Sequence, residues 1–204
     1  MFKNHALLNV ELHEAVRTGD AGRVIELINQ GADVNTRDEN GKTPLHSAAE
    51  NGYTALVVLL LKRGADIDAR SEGGVTPLYI AAYHGHEKIV GFLLKRGANI
   101  VVNNYGGTPL QEAALRGYTG VVRQLLENGS DVESVDKDLE SPLVMAARKG
   151  YTEVVEILLD NGADINTFRD YDGTALYCAA SNGHTETVKL LLARGADVNL
   201  PNKL

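Results

Sequence analysis

The sequence predicts an all-α solenoid of about six helix-turn-helix units joined by β-hairpin-like loops, and three observations predict it. Gly-Ala-Asp or a near copy stands at Gly31, Gly64, Gly97, Gly129, Gly162 and Gly195, in steps of 33, 33, 32, 33 and 33 residues. A second phrase keeps the same step: Thr43-Pro44-Leu45, Thr76-Pro77-Leu78, Thr108-Pro109-Leu110, Ser141-Pro142-Leu143 and Thr174-Ala175-Leu176, each followed by an alanine pair such as Ala48-Ala49. Apolar residues, 44% of the chain, are spread evenly along its 204 residues instead of clustering, which predicts one structural domain over 1–204. A unit of this size cannot bury its apolar face alone, so neighbours stack and leave a long open trough in place of an enclosed pocket. The units run at about 5–37, 38–70, 71–102, 103–135, 136–168 and 169–204.

Within a unit, each element follows from residue chemistry. Thr43 suits a helix N-cap, where its hydroxyl accepts from an amide with no helical partner, and Pro44 suits the first helical position, where no donor is needed. Leu45, Ala48 and Ala49 share one helical face, and the paired alanines admit a second helix at close range. Gly52 ends this short helix by tolerating positive φ. The run Leu56, Val57, Leu59, Leu60, Leu61 is too wide for a narrow seam and predicts a helix covered on several sides. Lys62 and Arg63 favour its C-terminus and Gly64 closes it. The short, polar, glycine-punctuated stretch up to the next Thr-Pro-Leu predicts a projecting hairpin or turn.

These phrases resemble the ankyrin repeat family, over nearly the whole chain. Leu12-His13-Glu14-Ala15 supplies a degenerate copy at the front, and Gly195-Ala196-Asp197-Val198-Asn199 almost reaches the end. Departures from the pattern stand out against it. The 32-residue step falls between Gly97 and Thr108, which predicts a tighter hairpin, and Leu139 replaces the glycine seen as Gly41 and Gly106. Arg23 replaces the branched apolar residue found as Leu56, Ile89, Val121 and Val154, so the first unit reads as a polar cap. At the other end, Leu190, Leu191, Leu192 and Gly195 to Asn199 read as though another unit follows. Three expectations result: a fragment, a fold-back of residues 200–204, or a second molecule on the exposed end of an otherwise monomeric chain.

Composition excludes several classes. Net charge is −7, with 11 Lys plus Arg against 12 Asp plus Glu through Gly97, and 9 against 15 from Ala98 onward. Nucleic-acid binding draws on basic groups that neutralise phosphates, so an acidic chain argues against DNA or RNA as partner. No run approaches the ~20 apolar residues of a membrane span. The start, Met1-Phe2-Lys3-Asn4-His5, lacks the apolar stretch of a secretion signal. Cys178 is the one cysteine, so a disulfide framework is excluded and a reducing, cytoplasmic setting is expected.

Catalytic, cofactor and metal sites are not expected. Cys178 holds the position of Ser47, Ile80, Glu112 and Met145 and reads as helix packing. His84-Gly85-His86 is the tight histidine pair, without a third ligand fixed by spacing. Glycine follows the repeat, without a phosphate-cradling motif. No carboxylate pair sits in an apolar setting that would separate two pKa values.

The resemblance implies that a partner protein is bound by hairpin tips and by the exposed face of the first helices. Carried over copy by copy, the partner-binding candidates are Arg70, Tyr83, His84, Asn104, Tyr105, Leu115, Arg116, Lys137, Arg148, Lys149, Phe168 and Tyr171. Tyr and Arg concentrate there, and these types carry much of the binding energy at interfaces. Tyr53, Tyr118 and Tyr151 follow the mid-unit glycine, where His86 and His184 also stand, and read as framework. The expected function is a non-catalytic adaptor or inhibitor. Two alternatives follow from the resemblance: a substrate of asparaginyl hydroxylation at Asn35, Asn166 and Asn199, or a pathogen-type effector module acting on a host protein.

Overall fold

The structure is a computed structural model that describes residues 5–101, 107–135, 140–167 and 173–200. It divides into two compact units, Met1–Asn104 and Tyr105–Leu204. The first holds α1 (His5–Arg17), α2 (Ala21–Asn29), α3 (Pro44–Glu50), α4 (Thr54–Lys62), α5 (Pro77–Tyr83) and α6 (Glu87–Lys95). The second holds α7 (Pro109–Arg116), α8 (Thr119–Glu127), α9 (Pro142–Lys149), α10 (Thr152–Asp160), α11 (Ala175–Ser181) and α12 (Thr185–Ala193). In the first unit α1, α3 and α5 pack side by side, each against its own second helix, and α4 packs on α6. In the second unit α7, α9 and α11 form one row, and α8, α10 and α12 the other.

Each first helix except α1 starts where the hydroxyl and the proline or alanine place it. Thr76, Thr108, Ser141 and Thr174 accept from the backbone N–H three residues on, at 3.2, 3.2, 3.4 and 3.2 Å. In α3 the histidine closes the cap: the Thr43 N–H donates to His46 Nδ1 at 3.0 Å. The opposite ring nitrogen lies 2.8 Å from the Val75 carbonyl oxygen. An acceptor Nδ1 and a donor Nε2 define a neutral imidazole in one tautomer. In α7 Gln111 does the same work, accepting from the Thr108 N–H at 2.7 Å and donating to the Glu140 carbonyl at 2.9 Å. These side chains therefore join cap to neighbouring loop.

The first leucine of each phrase, Leu45, Leu78, Leu110 and Leu143, is at most 1% exposed, and Ala49, Ala82, Ala114 and Ala147 are each 0% exposed. Small side chains at those positions let the first helices approach closely, and the leucines fill the volume between rows. Among the described residues of the first unit the loops turn back on short-range bonds: Asp38 accepts from the Lys42 N–H at 2.8 Å, and the Ser71 N–H donates to the Val75 carbonyl at 3.0 Å. Residues 102–106 of the shortened step between Gly97 and Thr108, and Leu139, lie outside the described residues.

Two repeated contacts lock successive copies. At the Asp of Gly-Ala-Asp, the carboxylate or amide oxygen accepts from the backbone N–H two residues on at all six places, for example Asp33 from Asn35 at 2.9 Å and Asp197 from Asn199 at 2.8 Å. That turn aims the following side chain at the next loop. Asn35 Oδ1 accepts from the Asp66 N–H at 2.8 Å and Asp68 from the Asn99 N–H at 2.8 Å. Glu133 accepts from the Asp164 N–H at 2.8 Å and Asn166 from the Asp197 N–H at 2.9 Å. Asn9 of α1 provides the first rung, accepting from the Asp33 N–H at 2.9 Å.

The second contact is a ring laid on the mid-unit glycine of the preceding copy. Tyr53 covers Gly19, His86 covers Gly52, Tyr151 covers Gly117 and His184 covers Gly150; a Cβ on Gly150 would meet His184 ring atoms at 2.5 Å. His86 and His184 also bond the carbonyls of Glu50 and Arg148, each at 2.9 Å. Tyr53 and Tyr151, expected as framework, have that role in the packing.

At the front, α1 begins six positions before the register of Pro44, at His5, where the other copies carry a loop. Leu8, 1% exposed, supplies the apolar anchor for this extra turn. Arg23 pairs with Glu11 at 2.5 Å and with Glu26 at 2.9 Å, and Glu14 with Arg17 at 2.6 Å, so the polar character expected of this end takes the form of surface ion pairs.

Candidate protein-interaction surface

With leucines, alanines and rings committed to stacking, the C-terminal ends of the first helices are left facing outward. They are also where residue type changes from copy to copy: Glu50-Asn51, Tyr83-His84, Leu115-Arg116, Arg148-Lys149 and Ser181-Asn182. Asn51, Tyr83, His84, Lys149, Ser181 and Asn182 are exposed, and Glu50, Leu115, Arg116 and Arg148 half-buried.

In the first unit an aromatic ladder runs along this surface. Tyr79 and Tyr83 stack at 6.5 Å between ring centres, Tyr83 meets His84 edge-on at 5.0 Å, and His84 stacks on His86 at 5.8 Å. His86 is anchored through the Glu50 carbonyl, while Tyr83, in the middle of the ladder, is 39% exposed. Rings fixed in this way lose little rotamer freedom when a partner covers them. Arg70 is exposed, and its carbonyl accepts from the Arg37 guanidinium, which also donates to the Gly41 carbonyl at 2.9 Å.

In the second unit the basic residues are held by carboxylates. Arg116 pairs with Glu112 one turn earlier on α7, and Arg148 pairs with Glu140, which is 8% exposed. Glu140 and Arg148 occupy the register of Lys42 and Glu50, paired at 2.8 Å, with the charges exchanged. The clamp from loop base to helix end is thus kept while its polarity reverses. Lys149 is exposed beside it, and Leu115 is half-buried.

Of the residues expected to bind a partner, Arg70, Tyr83 and His84 lie in the first unit, and Leu115, Arg116, Arg148 and Lys149 in the second. Asn104, Tyr105, Lys137, Phe168 and Tyr171 lie outside the described residues. The clamps on Arg116 and Arg148 were missed in the sequence, although the exchange of Lys42 and Glu50 for Glu140 and Arg148 was there to be read once copies were aligned. Asn35 and Asn166 are rung residues; Asn35 in addition donates from Nδ2 to the Gly64 carbonyl at 3.1 Å. Asn199 is exposed.

Burial shifts two imidazoles in the first unit. Burial holds His46 below the usual histidine range, opposed by its bond to the Val75 carbonyl and reinforced by Lys42 and Arg37. Burial lowers His13 likewise, offset in part by Asp38 and the Thr36 backbone. Cys178 is 4% exposed. Among the described residues no group of three or more His, Cys, Asp or Glu could hold a metal ion, and no helix is long and apolar enough to cross a membrane. Among the described residues this surface carries exposed rings and ion-paired cations, and no cluster of metal-ligating groups.

A family model described as ankyrin repeats (3 copies) matches residues 12–104, 69–136 and 110–202. No curated protein matches the chain.

Proposed function

The chain belongs to the ankyrin repeat family, whose repeats generally mediate protein–protein interaction, and we propose that it is a non-catalytic adaptor or inhibitor that grips a folded protein. The contact surface is formed by the outward ends of the first helices and the loop tips. One observation carries the reading: the outward positions vary in chemistry from copy to copy while the stacking positions repeat. A surface under no demand but stability would not need Tyr83 and His84 open to solvent, nor cations oriented by dedicated carboxylates at Arg116 and Arg148. Oriented side chains lower the ordering cost of association, and Tyr and Arg give the largest truncation losses at interfaces. The second unit's clamped cations, with Lys149, suit acidic groups of the partner, and the ladder in the first unit suits its apolar or planar groups. Asn104, Tyr105, Lys137, Phe168 and Tyr171, carried over from the family resemblance, are part of the same proposal. The setting is cytoplasmic, in line with one buried thiol.

The test is affinity capture from the native source with the wild-type chain and with a Tyr83→Ala, Arg116→Ala, Lys149→Ala variant. The expected result is a partner retained by the wild type and depleted at least tenfold by the variant, with the melting temperature kept within a few degrees. Equal capture by both removes this surface from consideration.

A further inference from the structure

Asn40, Asn51, Asn128, Asn161 and Asn182 are each followed by glycine. Such a pair is open to intramolecular attack, because glycine carries no side chain to hinder its own backbone nitrogen. That nitrogen loses its proton and adds to the asparagine Cγ, ammonia leaves, and water opens the resulting succinimide to an aspartyl or an isoaspartyl residue. One water is consumed and one ammonia released, with no change of oxidation state. In sequence the five pairs are equivalent; in the fold they are not.

Four of them stand at helix C-termini in one conformation. Asn51, Asn128, Asn161 and Asn182 cap α3, α8, α10 and α11 with ψ of 0°, 10°, 14° and 3°. Ring closure requires the glycine nitrogen to eclipse Cβ, and a ψ near zero eclipses it with the asparagine's own nitrogen instead. The side chains are fastened as well: each Nδ2 donates to the carbonyl four residues earlier, that of Ser47, Gln124, Ile157 or Cys178, at 2.8 Å. Reaching the reactive geometry therefore means breaking this bond and unwinding the last helical turn.

Asn40 is held differently. It is exposed in the loop before α3, and its side-chain amide makes no hydrogen bond among the described residues. The turn around it is drawn by Asp38, whose carboxylate accepts from the Asn40 and Lys42 N–H groups at 2.9 and 2.8 Å and whose carbonyl accepts from the Gly41 N–H at 2.9 Å. Opening this turn unwinds no helix. The Asn40 carbonyl ties it to the loop of the next copy, accepting from the Glu72 N–H at 3.0 Å. The two loops touch there, since a Cβ on Gly41 would stand 2.9 Å from the Glu72 nitrogen.

We propose that Asn40 is a site of spontaneous deamidation, and that its conversion unties this loop from the next. An isoaspartyl link carries the chain through the former side chain and adds a carbon between residues 40 and 41. The carbonyl that Glu72 bonds then leaves the main chain and becomes a pendant carboxylate, in a pair of loops that already carries Asp38, Glu39 and Glu72. Like charges at this range repel. The inference does not depend on what the first helices bind.

Peptide mapping by mass spectrometry after incubation in mildly alkaline buffer tests it, on the folded chain and on the chain unfolded in guanidinium. In the folded chain Asn40 converts at least about tenfold faster than each of the four capping asparagines, whereas in the unfolded chain all five convert at similar rates. The Glu72 amide of the converted chain exchanges with solvent faster than that of the unconverted chain. Protection of Asn40 as strong as that of the other four, conversion of any of the four as fast as Asn40, the same ranking in the unfolded chain, or Glu72 exchange unaltered by conversion would each overturn the proposal.

Discussion

Gly150→Ala destabilises the second unit by about 2–4 kcal/mol in denaturant unfolding, whereas Gly162→Ala costs about 1–2 kcal/mol. Both glycines hold positive φ, 74° and 90°, so both alanines pay the steric penalty of the left-handed region. They differ in what stands over them. Nothing lies within 4 Å of a Cβ on Gly162, while one on Gly150 would meet Nδ1 and Cγ of His184 at 2.5 and 2.6 Å. That ring cannot swing aside freely, because its Nε2 is bonded to the Arg148 carbonyl at 2.9 Å. Adding His184→Ala to Gly150→Ala recovers the steric part, so the double-mutant cycle shows a coupling of about 1 kcal/mol or more. Equal losses at the two glycines would refute the ring-on-glycine lock.

The second large effect is at His46. His46→Ala lowers stability by about 2–5 kcal/mol, since it opens a cavity at a side chain 0% exposed and deprives the buried Thr43 N–H and the Val75 carbonyl of their partner. His46→Gln loses less than about 1.5 kcal/mol, because Gln111 makes the same pair of bonds in α7. The two forms separate in pH. Burial lowers the folded-state value of His46, so between that value and the unfolded value of about 6.5 the unfolded chain binds more protons. Stability from this group is fully present above about pH 6.5 and is lost as pH falls towards the folded value. Thermal melts from pH 7 to pH 5 therefore fall less steeply for His46→Gln than for the wild type, the remaining slope including His13, lowered by the same cause. A wild-type melting temperature flat over that range contradicts the tautomer assignment.

What was legible in the sequence was what is local. Thr76-Pro77 and Gly52 set a helix start and a helix end with residues in contact along the chain, and α5 begins at Pro77 as those residues require. What was not legible depends on stacking. Gly150 announces a left-handed turn, but only packing brings His184, a full copy later, over it. The rung from Asn35 to Asp66 spans 31 residues, and nothing in Asn35 itself distinguishes a loop asparagine from a bridge. The early start of α1 went unread because its Thr-Pro signal is missing, and the burial of Leu8 that stabilises the extra turn is a tertiary effect. At the candidate surface, the exposure of Tyr83 followed from register, whereas the clamp of Arg148 by Glu140 needed the fold. Five of the expected binding residues lie outside the described set and stay part of the proposal.

Successive copies held in register by one repeated set of contacts are the physical basis of every reading above, and site-resolved amide exchange addresses it most directly. The rung amides of Asp33, Asp66, Asn99, Asp164 and Asp197 are expected to exchange far more slowly than exposed loop amides despite standing in loops, because each is bonded to a side chain of the preceding copy. Exchange of these five at the rate of an unstructured chain, with the helices still protected, would contradict the account.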